Sequence, residues 1–273
     1  MIKTRCVSIG KGEKNALNED AVIARKNVIA VSDGAGGGGL FADRWSHYLL
    51  KHLPTVPVSS AEELDSWIGS IWEDYYNRAE ASAKQLGGME LDKFYDEGSF
   101  ATLAAVWYQP DGVCRWIAYG DSVVFHYDYG TKQLRHSFTT LADFDRPPYL
   151  INCKDELNPT GFRSGNFVMT DTSFVFVTSD ALAHYVLMMY QLAERAKYAA
   201  ELATAASAAS KNGNILKCAL TLPAVNFERD VIEKLRDNVY KESRFAKWVR
   251  TLYSKGLLAL DDCSAAVMYE VRG

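Results

Sequence analysis

Apolar residues recur along the chain at two spacings, one typical of strands and one typical of helices. Continuous or alternating apolar runs predict strands at 2–9, 20–31, 100–108, 113–119, 122–128, 133–138, 173–178 and 263–271. Apolar residues three and four positions apart predict helices at 41–53, 61–86, 181–210 and 226–256. The clearest helical stripe consists of Leu64, Trp67, Ile68, Ile71, Trp72 and Tyr75, and it is interpreted as core-facing.

The order of these elements predicts the class of fold. Strands are followed by helices, then by more strands, more helices and one last strand, without regular strand–helix alternation. This order favours an α+β protein with antiparallel sheets and segregated helices. We expect a single domain over residues 1–273. Residues 139–170 lack clear periodicity and contain several prolines and glycines, and such long irregular segments are usually functional or mobile.

Charge and composition exclude some classes of partner. The formal net charge is −4 and 48% of the residues are hydrophobic, as in a globular protein with a full core. No basic cluster favours a nucleic-acid partner. The first residues lack the apolar stretch of a signal peptide, and no run approaches the ~18–20 apolar residues of a membrane span. We therefore expect a cytoplasmic protein without a membrane partner.

The cysteines support the same expectation. They occur singly, at Cys6, Cys114, Cys153, Cys218 and Cys263. An odd number without a CxxC pair indicates neither a disulfide framework nor a thiolate zinc site. We expect reduced thiols buried in the core.

Aspartates stand at the ends of several predicted strands, most of them beside a small residue. The five positions are Asp20, Asp33, Asp121, Asp180 and Asp261. Burying a carboxylate without a partner is costly, and few Lys or Arg residues neighbour these positions in the sequence. A divalent cation bound by oxygen ligands would compensate. One such aspartate is more often a turn former or a helix cap, as Asp180 could be, but five at matching positions favour a metal site.

The glycine run after Asp33 allows a different interpretation. Residues 34–39 read GAGGGG and satisfy the GxGxxG pattern of dinucleotide-binding loops. The helix predicted next leads into the sequence LPTVP at 53–57, a poor parallel strand, and no Gly-Lys-Ser/Thr follows. We therefore disfavour nucleotide binding and expect glycine beside Asp33 to let a backbone carbonyl approach a metal ion.

Six short motifs stand out when the chain is taken as a whole. They are Asn18-Glu19-Asp20-Ala21, Val31-Ser32-Asp33-Gly34-Ala35-Gly36-Gly37, Gly98-Ser99-Phe100-Ala101-Thr102, Tyr119-Gly120-Asp121-Ser122, Thr178-Ser179-Asp180-Ala181 and Asp261-Asp262-Cys263-Ser264. In order and spacing they resemble the motifs of the metal-dependent PPM/PP2C protein phosphatases, over nearly the whole chain. The resemblance implies an α/β/β/α sandwich: two packed antiparallel sheets flanked by helices, with metals at one edge.

The resemblance also implies a set of metal ligands. Asp33 would bridge two Mn²⁺ or Mg²⁺ ions, and the carbonyl of Gly34 would bind one of them. Asp180 and Asp261 would bind the second ion. Asp121, together with Asp180, is similar to the residues of a weaker third site.

Further implied roles concern catalysis. Glu19 and Asp20 would bind a metal ion directly or through its bound waters, and a water between the two ions would lose a proton near neutral pH and attack phosphorus. The implied catalytic residues are thus Asp33 and Asp20, with Lys14 as a contact for the substrate phosphate. The implied partner is a phosphoprotein, and the sequence leaves the oligomeric state open.

Several positions depart from the family pattern. The Arg that usually grips the phosphate is replaced by Asn15, although Lys14 lies next to it. A proposed general-acid His of many eukaryotic members is replaced by Ala35. The segment 139–170 would form a flap beside the site, and 181–260 a helical connection longer than expected.

These residues lead to two hypotheses about function. The first is a metal-dependent phosphatase acting on phosphoserine and phosphothreonine. The alternative, favoured by Asn15, is a pseudophosphatase that binds a phosphoprotein or another partner without turnover. Some other metal-dependent hydrolase remains a third, minor interpretation.

Overall fold

The structure, a computed structural model, describes residues 1–12 and 17–270. Lys14 and Asn15 therefore lie outside the described residues. The strands are β1 Ile2–Ile9, β2 Ala21–Arg25, β3 Val28–Ser32, β4 Phe100–Ala101, β5 Leu103–Tyr108, β6 Val113–Tyr119, β7 Val123–Asp128, β8 Gln133–His136, β9 Ile151–Asn152, β10 Phe162–Val168, β11 Ser173–Thr178 and β12 Cys263–Glu270. The helices are α1 Ala42–His52, α2 Ala61–Leu86, α3 Gly88–Glu97, α4 Asp180–Ala193, α5 Ala199–Ser207, α6 Lys211–Ala219, α7 Glu233–Asn238 and α8 Glu242–Ser254.

Two five-stranded antiparallel sheets form the centre of the protein. Sheet I has the order β1-β12-β11-β7-β8, sheet II has the order β10-β6-β5-β3-β2, and β4 pairs with β9 in a small separate sheet. The sheets pack face to face, α1–α3 cover the outer face of sheet II, and α4–α8 cover that of sheet I. The predicted α/β/β/α sandwich is confirmed.

Strand β3 shows how the sequence builds these layers. Successive side chains of a strand point to opposite faces of the sheet. Ile29 and Val31 accordingly pack between the two sheets, whereas Val28 and Ala30 pack against the helices. Because both faces are buried, the strand is apolar from Val28 to Val31 rather than alternating with polar residues. The inter-sheet layer consists of Ile29, Val31, Ala104, Val106, Cys114, Ala118, Val124, Phe167, Met169, Val175, Val177, Ala266 and Met268.

The registers of the strands bring the predicted motifs to one edge of the sandwich. The end of β3, at Ser32, pairs with Ala21 at the start of β2. The end of β6 lies opposite the start of β5. In sheet I, Thr178 at the end of β11 pairs with Val123 and Ala265, at the starts of β7 and β12. The aspartates that precede or follow these strands therefore share one edge.

The structure corrects several predicted elements. The run 20–31 is a hairpin of β2 and β3 rather than one strand, since the polar residues Lys26-Asn27 form its turn. The predicted helix at 181–210 is divided into α4 and α5, and that at 226–256 contains a π-helical turn followed by α7 and α8. The segment 139–170 is not wholly irregular, because it contains the edge strand β10. Helices α3 and α6 had no predicted counterpart.

Two further expectations can be compared with the structure. All five cysteines are free, but Cys218 is exposed, so they are not all core thiols as expected. Among the described residues, no helix combines the length and the apolar character needed to cross a membrane.

Candidate metal centre

The backbone of Asp33 is held in place by the motif that contains Thr102. The amide of Asp33 donates to Thr102 Oγ1 (3.0 Å), and its carbonyl accepts from the Thr102 amide (2.8 Å). Ser32 Oγ donates to the Thr102 carbonyl at 2.7 Å, and Thr102 Oγ1 lies 2.7 Å from Ser122 Oγ. These bonds fix the end of β3 against the turn that carries Asp121, which gives Thr102 a positioning role that its motif alone did not reveal.

Some of the glycines after Asp33 are required by close packing. A Cβ on Gly34 would lie 2.7 Å from the carbonyl oxygens of both Glu19 and Ala42. A Cβ on Gly36 would lie 2.0 Å from Glu19 Oε1. By contrast, a Cβ on Gly37 would meet nothing within 4 Å. Only some glycines of the run are therefore needed, and those keep room for Glu19 at the edge of the sandwich.

Asp20 is the most deeply buried carboxylate of the centre. It is only 2% exposed, and neither of its carboxylate oxygens accepts a hydrogen bond of ordinary geometry in the described structure. Burial raises the pKa of Asp20 to about 7; the hydroxyls of Ser264 and Ser179 lower it, and the charges of Asp180 and Asp262 raise it. An ionised Asp20 therefore needs positive charge nearby.

Three half-buried aspartates surround Asp20. Burial raises the pKa of Asp180 to about 7 and that of Asp121 to about 6. It also raises the pKa of Asp33 well above the usual range, and the charges of Asp20 and Asp180 add to the effect. Each of these carboxyl groups is shifted partly by its neighbours, so they form one coupled cluster of negative charge.

The neighbouring aspartates Asp261 and Asp262 have different environments. Asp262 is 4% exposed, and its two carboxylate oxygens accept from the amides of Lys11 (2.7 Å) and Glu19 (2.8 Å). Asp262 thus ties the loop after β1 to the residue before Asp20. Asp261, with a side chain 36% exposed, stays at the rim of the cluster.

Two cations lie closer to the cluster than the sequence suggested, which corrects the expectation that basic partners are lacking. Lys11 Nζ is 3.4 Å from Asp261 and 3.5 Å from Glu19. Burial raises the pKa of Asp121, and the charge of Arg163 offsets part of that rise. Lys11 is distant from Asp261 in sequence, but the first and last strands pair, with Ile9 opposite Cys263. This pairing brings Lys11 next to Asp261.

The donor set suits a divalent cation, although the described side chains do not already surround one. Among the described residues, no three His, Cys, Asp or Glu side chains are grouped as the ligands of one ion. The cluster nevertheless offers only oxygen donors, and the buried oxygens of Asp20 are unsatisfied. Hard divalent cations prefer such ligands. The residues present therefore fit a Mg²⁺- or Mn²⁺-type ion.

The structure brings most of the predicted site residues to the same edge. They are Glu19, Asp20, Asp33, Gly34, Asp121, Asp180 and Asp261. Their individual roles as metal ligands stay predictions. The role suggested for Lys14 falls outside the described residues.

Comparison with known proteins shows similarity in structure but not in sequence. No protein-family model matches the chain, and no curated protein matches it in sequence. The serine/threonine phosphatase PstP/Ppp of Mycobacterium tuberculosis superposes with a TM-score of 0.54 at 16% identity, covering 99% of both chains. Its catalytic domain has been solved in complex with two manganese ions, and that structure matches with the same values.

A second bacterial phosphatase gives a similar result. Stp1 of Staphylococcus aureus superposes with a TM-score of 0.53 at 12% identity, covering 100% of this chain and 96% of its own. At such low sequence identity, the structural likeness establishes only the fold. The chemistry must be argued from the residues of this chain. This chain has the fold of the PPM serine/threonine phosphatases over its whole length.

Proposed function

We propose that the protein is a Mn²⁺- or Mg²⁺-dependent phosphatase acting on phosphoserine and phosphothreonine in phosphoproteins, in the cytoplasm. One observation carries the proposal. Four coupled aspartates from both sheets meet at one edge, and the most buried of them, Asp20, has two unsatisfied oxygens. The proteins that share this fold include a phosphatase solved with two manganese ions.

The residues of this chain would divide the work as follows. Asp20, Asp33 and Asp180, with Asp261 at the rim, would hold the ions. Bound ions would neutralise the charge of the phosphate group and supply a nucleophilic water near neutral pH. Thr102 keeps Asp33 in a fixed position, and the glycines keep bulk away from Glu19. Such preorganisation lets the ligands meet their ions without a costly rearrangement.

The test is release of phosphate from a phosphothreonine peptide in Mn²⁺, Mg²⁺ or EDTA. We expect release in either metal, none in EDTA, and a loss of about a hundredfold or more in Asp180→Asn. Asp74→Asn serves as the matched control, because Asp74 lies on α2 with its side chain 72% exposed and pairs only with Arg78 among the described residues. Metal-dependent release that survives unchanged in Asp180→Asn would contradict the assignment.

A pseudophosphatase remains a second candidate because of one contact. Lys11 already places an ammonium group against Asp261 and Glu19, where an ion is proposed. A protein that binds Mn²⁺ but releases no phosphate would favour this alternative. Asn15→Arg would then show whether one missing phosphate contact separates binding from turnover, and Lys11→Ala whether the ammonium group suppresses activity.

A further inference from the structure

A cavity of about 270 Å³ adjoins the proposed metal centre on the side of Asp121. Its walls come from the turn after β6, from the segment between β8 and β9, and from the start of β10. Asp121, Phe138, Asp143, Arg146, Pro147 and Arg163 are the lining residues that matter here. We call it the flap cavity. It shares Asp121 with the metal centre, so a peptide that places a phosphate at the centre passes close to it.

Arg163 is a mostly buried cation with few partners. Its guanidinium lies over the ring of Phe138, 5.2 Å from the centroid, and donates to the carbonyl of Gly120. Its Nε is buried and lacks a hydrogen-bond partner among the described residues. Among the described residues, no carboxylate oxygen lies within 4.0 Å of the Arg163 guanidinium. Because no carboxylate pairs with it at that distance, the guanidinium favours an anion that enters the cavity it lines.

Arg146 supplies a second positive charge at the mouth of the same cavity. Its side chain is 79% exposed, and Nη1 lies 2.9 Å from Asp143 Oδ1. The other oxygen of Asp143 accepts from Thr139 Oγ1 (2.5 Å) and Thr140 Oγ1 (2.7 Å). Asp143 is therefore committed to capping the 3₁₀ turn Leu141–Asp145, and the remaining guanidinium donors of Arg146 stay available.

From this arrangement we propose that the flap cavity binds an acidic side chain of the phosphoprotein substrate, close in sequence to the phosphorylated residue. The inference rests on the proposed function and names the class of substrate. Arg163 and Arg146 would bind the carboxylate, while Phe138 and Pro147 would contact its methylene groups. Arg163 also holds the carbonyl before Asp121, so it links substrate recognition to the position of that aspartate.

The experiment compares phosphothreonine peptides that differ only by Glu or Gln at one flanking position, with each position scanned in turn. For the wild type we expect a kcat/KM about tenfold higher for the Glu peptide at one or more positions, because charge-assisted hydrogen bonds are gained. The preference should disappear in Arg163→Gln and shrink in Arg146→Gln. Arg146 is exposed, so its replacement keeps the test valid if Arg163→Gln fails to fold.

A matched control variant and a measurement of peptide binding separate the possible outcomes. Arg78→Gln removes an exposed arginine, also ion-paired within one helical turn, from α2 and should keep the Glu preference. Hydrolysis without any Glu preference would overturn the flap-cavity proposal and leave the phosphatase intact. If no peptide is hydrolysed, fluorescence anisotropy of the same peptides decides: a Glu preference in binding that shrinks in Arg146→Gln supports the cavity, and equal binding of the Glu and Gln peptides overturns it.

Discussion

At the scale of single residues, the candidate centre depends on side chains that position others. Thr102 is the clearest example, since one hydroxyl group accepts from the Asp33 amide and also contacts Ser122. Asp262 likewise positions Glu19, because its carboxylate accepts a hydrogen bond from the Glu19 amide. The sequence indicated the aspartates because burial of charge demands compensation, but it did not indicate these positioning bonds, which join residues far apart in the chain.

Thr102→Val should weaken both stability and catalysis. The change keeps the shape of the side chain but leaves the Asp33 amide without its acceptor, which costs about 1–3 kcal/mol. We expect a lower melting temperature and a lower kcat for phosphate release. Thr204→Val is the control and should change little, because among the described residues the Thr204 hydroxyl bonds only to the Ala200 carbonyl of the same helix, at 3.0 Å. Equal behaviour of the two variants would argue against a positioning role for Thr102.

Gly36→Ala should act on metal binding more than on stability. The new Cβ would displace the flexible end of Glu19, which is cheap for the fold but moves a carboxylate of the centre. We expect Mn²⁺ affinity to fall about tenfold, as for other residues that support metal ligands. Gly37→Ala is the matched control, with open space around its Cβ. Titration with Mn²⁺ measures both, and the interpretation fails if Gly37→Ala weakens binding as much.

At the scale of elements, the sequence predicted an element well where its apolar pattern was regular. It failed where contacts with distant residues weakened that pattern. The bounds of α2 were predicted correctly because its apolar stripe is regular and Ser60 Oγ caps it by accepting from the Glu63 amide at 3.2 Å. Strand β10 was missed because it is an edge strand whose Gly165 packs against Trp116, so its alternation is weak. Local periodicity cannot show such tertiary contacts.

Helix α4 was predicted as part of one longer helix, and its burial has a consequence for pH. Burial lowers the pKa of His184 to about 4, although the charge of Asp145 raises it. The folded state therefore favours the neutral form of His184, whereas an unfolded histidine has a pKa of about 6.5. Its contribution to stability is complete above that value and is lost as the pH falls toward 4.

His184→Leu should remove this pH dependence. Between pH 7 and pH 5 the variant should lose less stability than the wild type, by up to about 1.4 kcal/mol for each pH unit below the unfolded pKa. Urea denaturation at several pH values measures the difference. Parallel curves for the two proteins would show that His184 is not held neutral in the folded state.

At the scale of the whole molecule, the sandwich concentrates negative charge at one edge, and cations must balance this charge. The family resemblance of the six motifs implied this edge. They could not predict Lys11 and Arg163 beside the aspartates, since both cations reach the edge only through the pairing of strands that are distant in sequence.

Asp20→Asn should raise stability without metal and reduce the stabilisation that metal provides. In EDTA, removal of a buried unsatisfied charge should raise the melting temperature. In saturating Mn²⁺ the variant should gain less than the wild type, for which about 2.7 kcal/mol is expected at a hundred times the dissociation constant. Thermal unfolding in both buffers measures this. A variant that gains as much from Mn²⁺ as the wild type would show that Asp20 does not serve an ion.

The most direct test of the proposed metal centre is the number of Mn²⁺ ions bound at equilibrium, measured from the free Mn²⁺ signal in electron paramagnetic resonance. For the wild type we expect about two ions, as two-metal hydrolytic sites hold. For Asp33→Asn we expect at least one ion to be lost together with phosphate release. No specific binding to the wild type, or unchanged binding and activity in Asp33→Asn, would contradict the assignment of this aspartate cluster as the catalytic metal site.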